Sequence, residues 1–408
     1  MVVGMIVLTS LLLLALPFIY QIMSEQKLSE KSYKFIAAMS LAEAGTERAI
    51  WEMSYGDIST WDGDSTLRTK NISGFQAAGG NVMGDIEIAV EQPEDDYPVV
   101  EATGMVPLSA GHTLDKTVQV VLERQRFRPF DFGLFGNIGV FLNSNALVNS
   151  YDSRQGLYGG DNIKWNGHVG TNATYVGCIN LESNAKIYGN GVSGPGSDPQ
   201  QVITLKSSAQ IYGSKQALDE SKDLNSLTVP TGLPYRGSYS LGEGQSDTIS
   251  TSGMYNSLTL EEKAVLTIVG EVTLYVTNLV SLGDECRINV AAGAALKLYI
   301  GGSFSQAGDM RMNNVSEDPT KLLILGVDNF TADFVWNSND AFYGGIYVPR
   351  SRVFLSSNID FYGSIIAKWI TLSSNARIHY DEALAEVELD VQGLSPLYIV
   401  KSWQQKIQ

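Results

Sequence analysis

The spacing of apolar and polar positions changes character several times along this chain. Residues 5–23 read MIVLTSLLLLALPFIYQIM without a charge, about the length a helix needs to cross a bilayer. Beyond them Leu28, Phe35, Met39, Ala42, Ala49 and Met53 recur at three-, four- and seven-residue steps, which is one face of a helix. Glu25, Lys27, Glu30, Lys31, Lys34, Glu43, Glu47 and Arg48 mix both signs on its other faces, so a single helix is expected over 5–54. Pro17 removes one hydrogen bond inside the apolar run and predicts a kink. After residue 55 the period falls to two. Residues 85–91, 97–105 and 116–123 alternate as strands, with Gly104 marking a bulge or bend. Three strands bury little alone, so they are expected to fold against the second half of the helix as a small α+β unit over 55–125.

The segment QRFRPFDFGLFG at 125–136 carries four phenylalanines, too apolar for a loose linker, and predicts a packed junction over 126–135. Past it the chain repeats itself. FLNSNALVNS, NLESNAKIYG, TLKSSAQIYG, FLSSNIDFYG and TLSSNARIHY share one phrase, and VWNSNDAFYG is a degraded copy. Asn339, Asn358 and Asn375 are 19 and 17 residues apart (358 − 339, 375 − 358), whereas Asn145 and Asn184 are 39 apart (184 − 145), about two such steps. Each phrase reads as strand, polar turn, strand, so stacked coils of a right-handed parallel β-helix are expected over 136–392. The five asparagines would stack as a ladder of side-chain amides. Residues 258–299 alternate and supply further coils, 191–253 form a surface excursion, and 393–408 form a tail. The fold expected is mainly β with a long N-terminal α-helix and a solenoid following a small α+β head.

Composition narrows the function. A net charge of −16 opposes binding to a phosphate backbone, so nucleic acid is not expected as a partner. Cys178 and Cys286 are far apart and suggest neither zinc nor a disulfide framework; two buried thiols fit better than a bridge. His112, His168 and His379 stand in no metal-binding spacing, and Asp57, Asp62 and Asp64 around Gly63 miss the calcium-loop pattern. Asp381 and Glu382 beside His379 suit a capping turn. No phosphate-binding loop is present, and no cofactor or metal is expected. Tyr188, Tyr212, Tyr343, Tyr347 and Tyr362 are candidates for a recognition face, since flat rings supply contact area at low entropic cost. The same tyrosines could equally complete the wall of the fold.

A glycine before a long apolar helix, followed by the continuation SLAEAGTERAI, resembles the type IV pilin superfamily and PilX-like minor pilins within it. That resemblance implies a leader over 1–4, cleavage between Gly4 and Met5, and methylation of the new terminus. It also implies filament packing through the helix, for which Leu8, Leu12, Pro17, Phe35, Met39 and Ala42 are the candidates. Thr9 stands where major pilins carry a glutamate, which resembles minor pseudopilins at a filament tip. The ending GSIIAKWITLSSNARIHYDEAL resembles a domain of uncharacterised function that follows PilX-like N-termini, over about 136–384. The reading that follows is a non-enzymatic minor pilin, held in the inner membrane as a single-pass protein and then displayed on an extracellular pilus or fimbrium at the cell surface. Its partners would be other pilins and a carbohydrate or protein ligand, and its role adhesion or tip assembly. Two alternatives stay open: a polysaccharide-active β-helix enzyme anchored at the surface, and a minor pseudopilin of type II secretion.

Overall fold

A computed structural model describes residues 2–77, 82–108, 111–327, 329–338, 340–355, 358–391 and 398–406, with side chains described from residue 14 onward. The protein is mainly β with one long N-terminal helix, and it divides into two units, 1–126 with 393–408, and 127–392.

In the first unit α1 (Val2–Tyr55) continues through Pro17. Gly4, Met5, Leu8 and Leu12 fall on this helix, but their side chains lie outside the described residues. Leu14 and Phe18 are 68% exposed and Tyr20 is 71% exposed, so this apolar surface of α1 is left uncovered by the other described residues. Among the described residues no helix is long and apolar enough to cross a membrane.

The second half of α1 lies on an antiparallel sheet. Its strands are β1 (Asp62–Gly63), β2 (Leu67–Gln76), β3 (Met83–Glu91), β4 (Val99–Pro107) and β5 (Thr113–Arg124), with Tyr398–Lys406 added along β5. The face that α1 buries is made of small residues, Ala37, Ala38, Ala42, Gly45 and Ala49, with Leu41 and Met53, against Ile86, Ile88, Val100, Ala102, Val118 and Val120. Small side chains let the helix backbone come close to the sheet. Gly104 serves this approach and marks no bulge: it pairs in register with Ile86 and Lys116, and a Cβ there would sit 2.1 Å from the Ala38 carbonyl oxygen. The helical stripe read from the sequence is therefore displaced. Leu28 and Phe35 are exposed, Phe35 lying under the Lys116 ammonium at 4.5 Å. Ala42 is fully buried in this core and is not free for filament packing, whereas Pro17 is exposed and Met39 half-buried. The C-terminal segment is not simply a tail, since most of it is a sheet strand.

The second unit is a stack of parallel strands in which most layers pair with the next at strides from 17 residues (Asp360 with Arg377) to 26 (Leu296 with Leu322), while Leu147 and Lys186 pair across 39. Alternation fills its interior. Residues 271–282 bury Val272, Leu274, Val276, Val280 and Leu282 and leave the residues between them less covered. Full burial of each such side chain favours folding by roughly 1.5–3 kcal/mol.

The order of layers does not follow the chain. Layers run from 238–249 up to Arg377–Asp381, and the next one in the stack is Leu134–Leu142 with Leu147–Tyr151. Val353, Ile370, Val140, Ile179 and Ile203 make one interior column across this junction, each registered with its neighbour. The stack then continues outward to Ile203–Leu205, Gln210–Ile211 and Lys215–Ala217. Residues 191–217 are thus regular layers, and the excursion is confined to 218–237. That segment returns along the outside of the sheet and buries Leu227 with Phe130, Phe135, Tyr299, Leu323, Leu325 and Tyr347. The phenylalanines expected at a junction between domains pack inside the second unit instead. Cys178 and Cys286 are buried and unbonded.

Candidate recognition site

The repeated phrase places its two aromatic positions on opposite faces. Phe342 and Phe361 point into the core, and Tyr343 and Tyr362 point out. The glycine that follows is needed for the bend: Gly363 has φ +145°, and a Cβ there would lie 1.8 Å from the Gly344 carbonyl oxygen.

Layer stacking brings these outward positions into one column. Tyr343 is registered with Tyr362, Tyr362 with His379, and His379 with Asn149. Tyr188 and Tyr212 extend it, bonded through their backbone amides to the Val148 and Ile187 carbonyls. Tyr343 and Tyr362 stack with ring centres 4.4 Å apart, and so do Tyr188 and Tyr212. Tyr212 is exposed and Tyr188, Tyr343 and Tyr362 are half-buried, so the column is a partly covered row of aromatic rings. The described members of the turn ladder run Asn184 to Asn145 to Asn375 to Asn358, with amide-to-carbonyl distances of 3.3, 3.1 and 2.9 Å. Asn339 lies outside the described residues. Asn145, Asn184 and Asn375 all take φ near +60°, a conformation asparagine tolerates better than most residues.

Two expectations about this face change. Tyr347 does not belong to it: the ring is fully buried under 218–237 and its hydroxyl donates to the Asn225 carbonyl at 2.6 Å. The 39-residue step from Asn145 to Asn184 is one layer, not two, because Leu147 pairs directly with Lys186 and residues 152–168 loop outside the stack. That loop is held by Asp152, which accepts from the Arg154 amide and side chain. It lays Tyr158 on His379 at 3.9 Å and sets Trp165, 58% exposed, edge-on to both Tyr188 and Tyr212 at 5.5 Å. Sequence reasoning missed Tyr158, Trp165 and Asn149; the broken stride between Asn145 and Asn184 was the available signal.

His379 is buried, with Nδ1 2.7 Å from the Asn149 side-chain oxygen and Nε2 3.3 Å from Asp360 Oδ1. Burial outweighs the neighbouring Asp360 carboxylate and holds the imidazole below its ordinary pKa. Asp360 is also paired with Arg377 at 2.7 Å.

A cavity of about 520 Å³ opens beside this column, lined by residues that include Ser153, Arg154, Ser316, Glu317, Asp318 and Glu386. Burial raises the Tyr343 pKa, with further contributions from Tyr362 and from the Glu317 carboxylate. Asp381 sits at its wall, fully buried, with Oδ1 accepting from the Ser153 and Ala383 amides at 2.9 and 3.1 Å. Its Oδ2 and the buried Tyr151 hydroxyl have no hydrogen-bond partner among the described residues. Burial raises the Asp381 pKa, with a further contribution from Asp318. Among the described residues no group of three or more His, Cys, Asp or Glu is placed to hold a metal ion.

No curated protein and no solved structure matches the chain. Residues 219–387 match the model of a domain of unknown function (DUF7305), a span that takes in the crossing segment and the layers from 238–249 to Arg377–Asp381.

Proposed function

We propose that this chain is a minor subunit of a type IV pilus-like filament that displays a right-handed parallel β-helix for recognition at the cell surface. The observation that carries the reading is the division of α1: residues 37–53 are packed on the antiparallel sheet, while Leu14, Phe18, Tyr20 and Ile22 are exposed and uncovered by the other described residues. A helix with one half embedded in a pilin-like head and the other half apolar and bare is suited to burial among the same helices of other pilins. Before assembly it would be held in the inner membrane through residues 5–23, and removal of the leader after Gly4 would release it to the filament.

The second unit carries the recognition role. Its column of Tyr343, Tyr362, Tyr188 and Tyr212, with the exposed Trp165, offers an extended polar and aromatic surface suited to a glycan or protein chain. The carboxylates around the neighbouring cavity favour a second reading, a surface-anchored polysaccharide-active enzyme, which requires turnover by the purified chain.

The test is recovery of the chain in filaments sheared from cells that express it. Wild-type chain is expected in the sheared fraction, and Leu14→Lys, which puts a charge on the bare half of α1, is expected to stay with the cells. Wild-type chain released to the medium as a monomer contradicts the proposal.

A further inference from the structure

The stack of layers in the second unit ends in two unlike faces. One end is the layer Ile203–Leu205, Gln210–Ile211 and Lys215–Ala217, and the other is Ser238–Leu241 with Ser246–Ile249; each pairs with a neighbouring layer on one side only. The 203–217 end leaves core positions open. Leu205 is registered with the fully buried Leu181 yet is itself 39% exposed, and Ile211, over the buried Ile187, is half-buried. An open end of this kind exposes core and unpaired backbone, which stacked folds ordinarily cover with a polar cap. Each end also sets one charge at an inward position. Lys215 stands over Gly191, where a Cβ would touch the Ile211 and Ile203 side chains, and its ammonium donates to the Ile203 carbonyl at 2.8 Å. Asp247 stands over the buried Leu266 and accepts from the Tyr239 hydroxyl at 2.8 Å. The signs are opposite throughout: residues 203–217 carry Lys206 and Lys215 with no carboxylate, and residues 238–249 carry Glu243 and Asp247 with no cation. Lys206 also reaches back to Glu182 at 2.7 Å.

The turns supply an independent fit. Along the stack the left-handed residue of one turn donates its amide to a carbonyl of the next: Gly244 to Glu262, Lys263 to Asp284, Asn375 to Ser144, Asn145 to Ser183 and Asn184 to Ser207, at 2.9, 2.9, 3.0, 3.0 and 3.2 Å. The two end turns share this geometry, with φ +62° at Ser208 and +64° at Gly244, and each follows a leucine, Leu205 or Leu241. The Ser208 amide has no turn beyond it and the Glu243 carbonyl none before it; neither has a hydrogen-bond partner among the described residues. We infer that the two ends are the halves of one interface, in which the 238–249 layer of a second copy of this chain docks on the 203–217 layer of the first. The Ser208 amide then donates to the Glu243 carbonyl of the second copy, as Asn184 does to Ser207. Leu205 and Ile211 are covered, and the two lysines meet the two carboxylates. Another copy suits this end better than an unrelated partner, because a layer of this chain already has the matching strand, turn and opposite charge. Since the faces differ, the contact is head-to-tail and leaves one end of each kind free, so it builds an open row and not a closed pair. It is independent of assembly through α1.

The experiment is disulfide trapping of the full chain in detergent. Ser207 and Glu243 hold the same position in their turns, so across the interface their Cα atoms lie about 5 Å apart, within reach of a disulfide. The buried Cys178 and Cys286 stay in place. On mild oxidation the double variant Ser207→Cys with Glu243→Cys is expected to give a ladder of multimers on a non-reducing gel, and either single variant to remain monomeric. Adding Lys215→Glu is expected to reduce the ladder at least tenfold, and adding Asp247→Lys to that chain to restore it. The ladder is expected to persist with Leu14→Lys, which separates end stacking from assembly through the helix. A monomeric double variant, or a ladder indifferent to Lys215→Glu or not restored by Asp247→Lys, overturns the inference. Dimers of Ser207→Cys alone, which would mean like ends pairing, overturn it too, as does a ladder lost with Leu14→Lys.

Discussion

Replacing Asn145 tests both the amide ladder and the unexpected order of layers. Its side-chain amide donates to Asn375 at 3.1 Å, across 230 residues of sequence, and its carbonyl accepts from Asn184 at 3.3 Å. Its backbone φ is +61°. Asn145→Gly keeps that conformation accessible and removes only the two exposed hydrogen bonds, at about 0.5 kcal/mol each and so about 1 kcal/mol together. Asn145→Ala adds the cost of a left-handed backbone with a Cβ, about 1 kcal/mol more. The expected losses are therefore about 1 kcal/mol for glycine and about 2 kcal/mol for alanine. Urea unfolding of the full chain followed by near-ultraviolet circular dichroism reads both, provided the slope against denaturant is unchanged. A double-mutant cycle of Asn145→Gly with Asn375→Gly isolates the direct pair and should give a coupling of about 0.5 kcal/mol. Additive effects in that cycle, together with alanine no worse than glycine, would refute the reasoning at both points.

Gly104→Val should cost about 3 kcal/mol or more in the first unit, since its Cβ would press on the Ala38 carbonyl, and loss of its cooperative melting by calorimetry checks this. Tyr347→Phe should destabilise the second unit by about 1 kcal/mol, because the half-buried Asn225 carbonyl loses its donor; urea midpoints measure it. Burial holds both His379 and His168 below the ordinary imidazole value of 6.5. The unfolded chain then takes up protons that the native chain refuses. Stability from this source is complete above pH 6.5 and is lost as pH falls from there towards the folded values, by up to about 1.4 kcal/mol per pH unit for each ring. His379→Gln should flatten that slope, and stability curves between about pH 5 and 7 decide it. Burial pushes the Cys286 thiol up to about 11 and raises Cys178 as well, so neither should react with a thiol reagent at neutral pH until the chain is unfolded.

What the sequence showed plainly was whatever has a local period. The alternation in 258–299 produced strands where expected, because each core-facing residue is two positions from the next. The Ser-Asn turns were visible because a left-handed backbone selects asparagine and glycine whatever the rest of the fold does. Pairings without local cause were hidden. Nothing in 134–151 shows that it will lie on residues 365–381, since the same alternating face would fit any layer. Tyr343 and Tyr347 look equivalent by parity, and only the return of 218–237 over the sheet separates a half-buried phenol from a fully buried one. β2, LRTKNISGFQ, lacks apolar alternation because most of it stays at the surface, so pairing with β3 defines it and pattern does not. Ala42 carried the correct helical period but the wrong role, since small residues on α1 serve close approach to a sheet.

The most direct measurement of the central claim is the N-terminal residue of the chain recovered from sheared filaments, read by mass spectrometry in cells with and without the host's prepilin peptidase. The account predicts a methylated terminus at Met5 that depends on the peptidase. An intact Met1, or a cut beyond Met23, would contradict it.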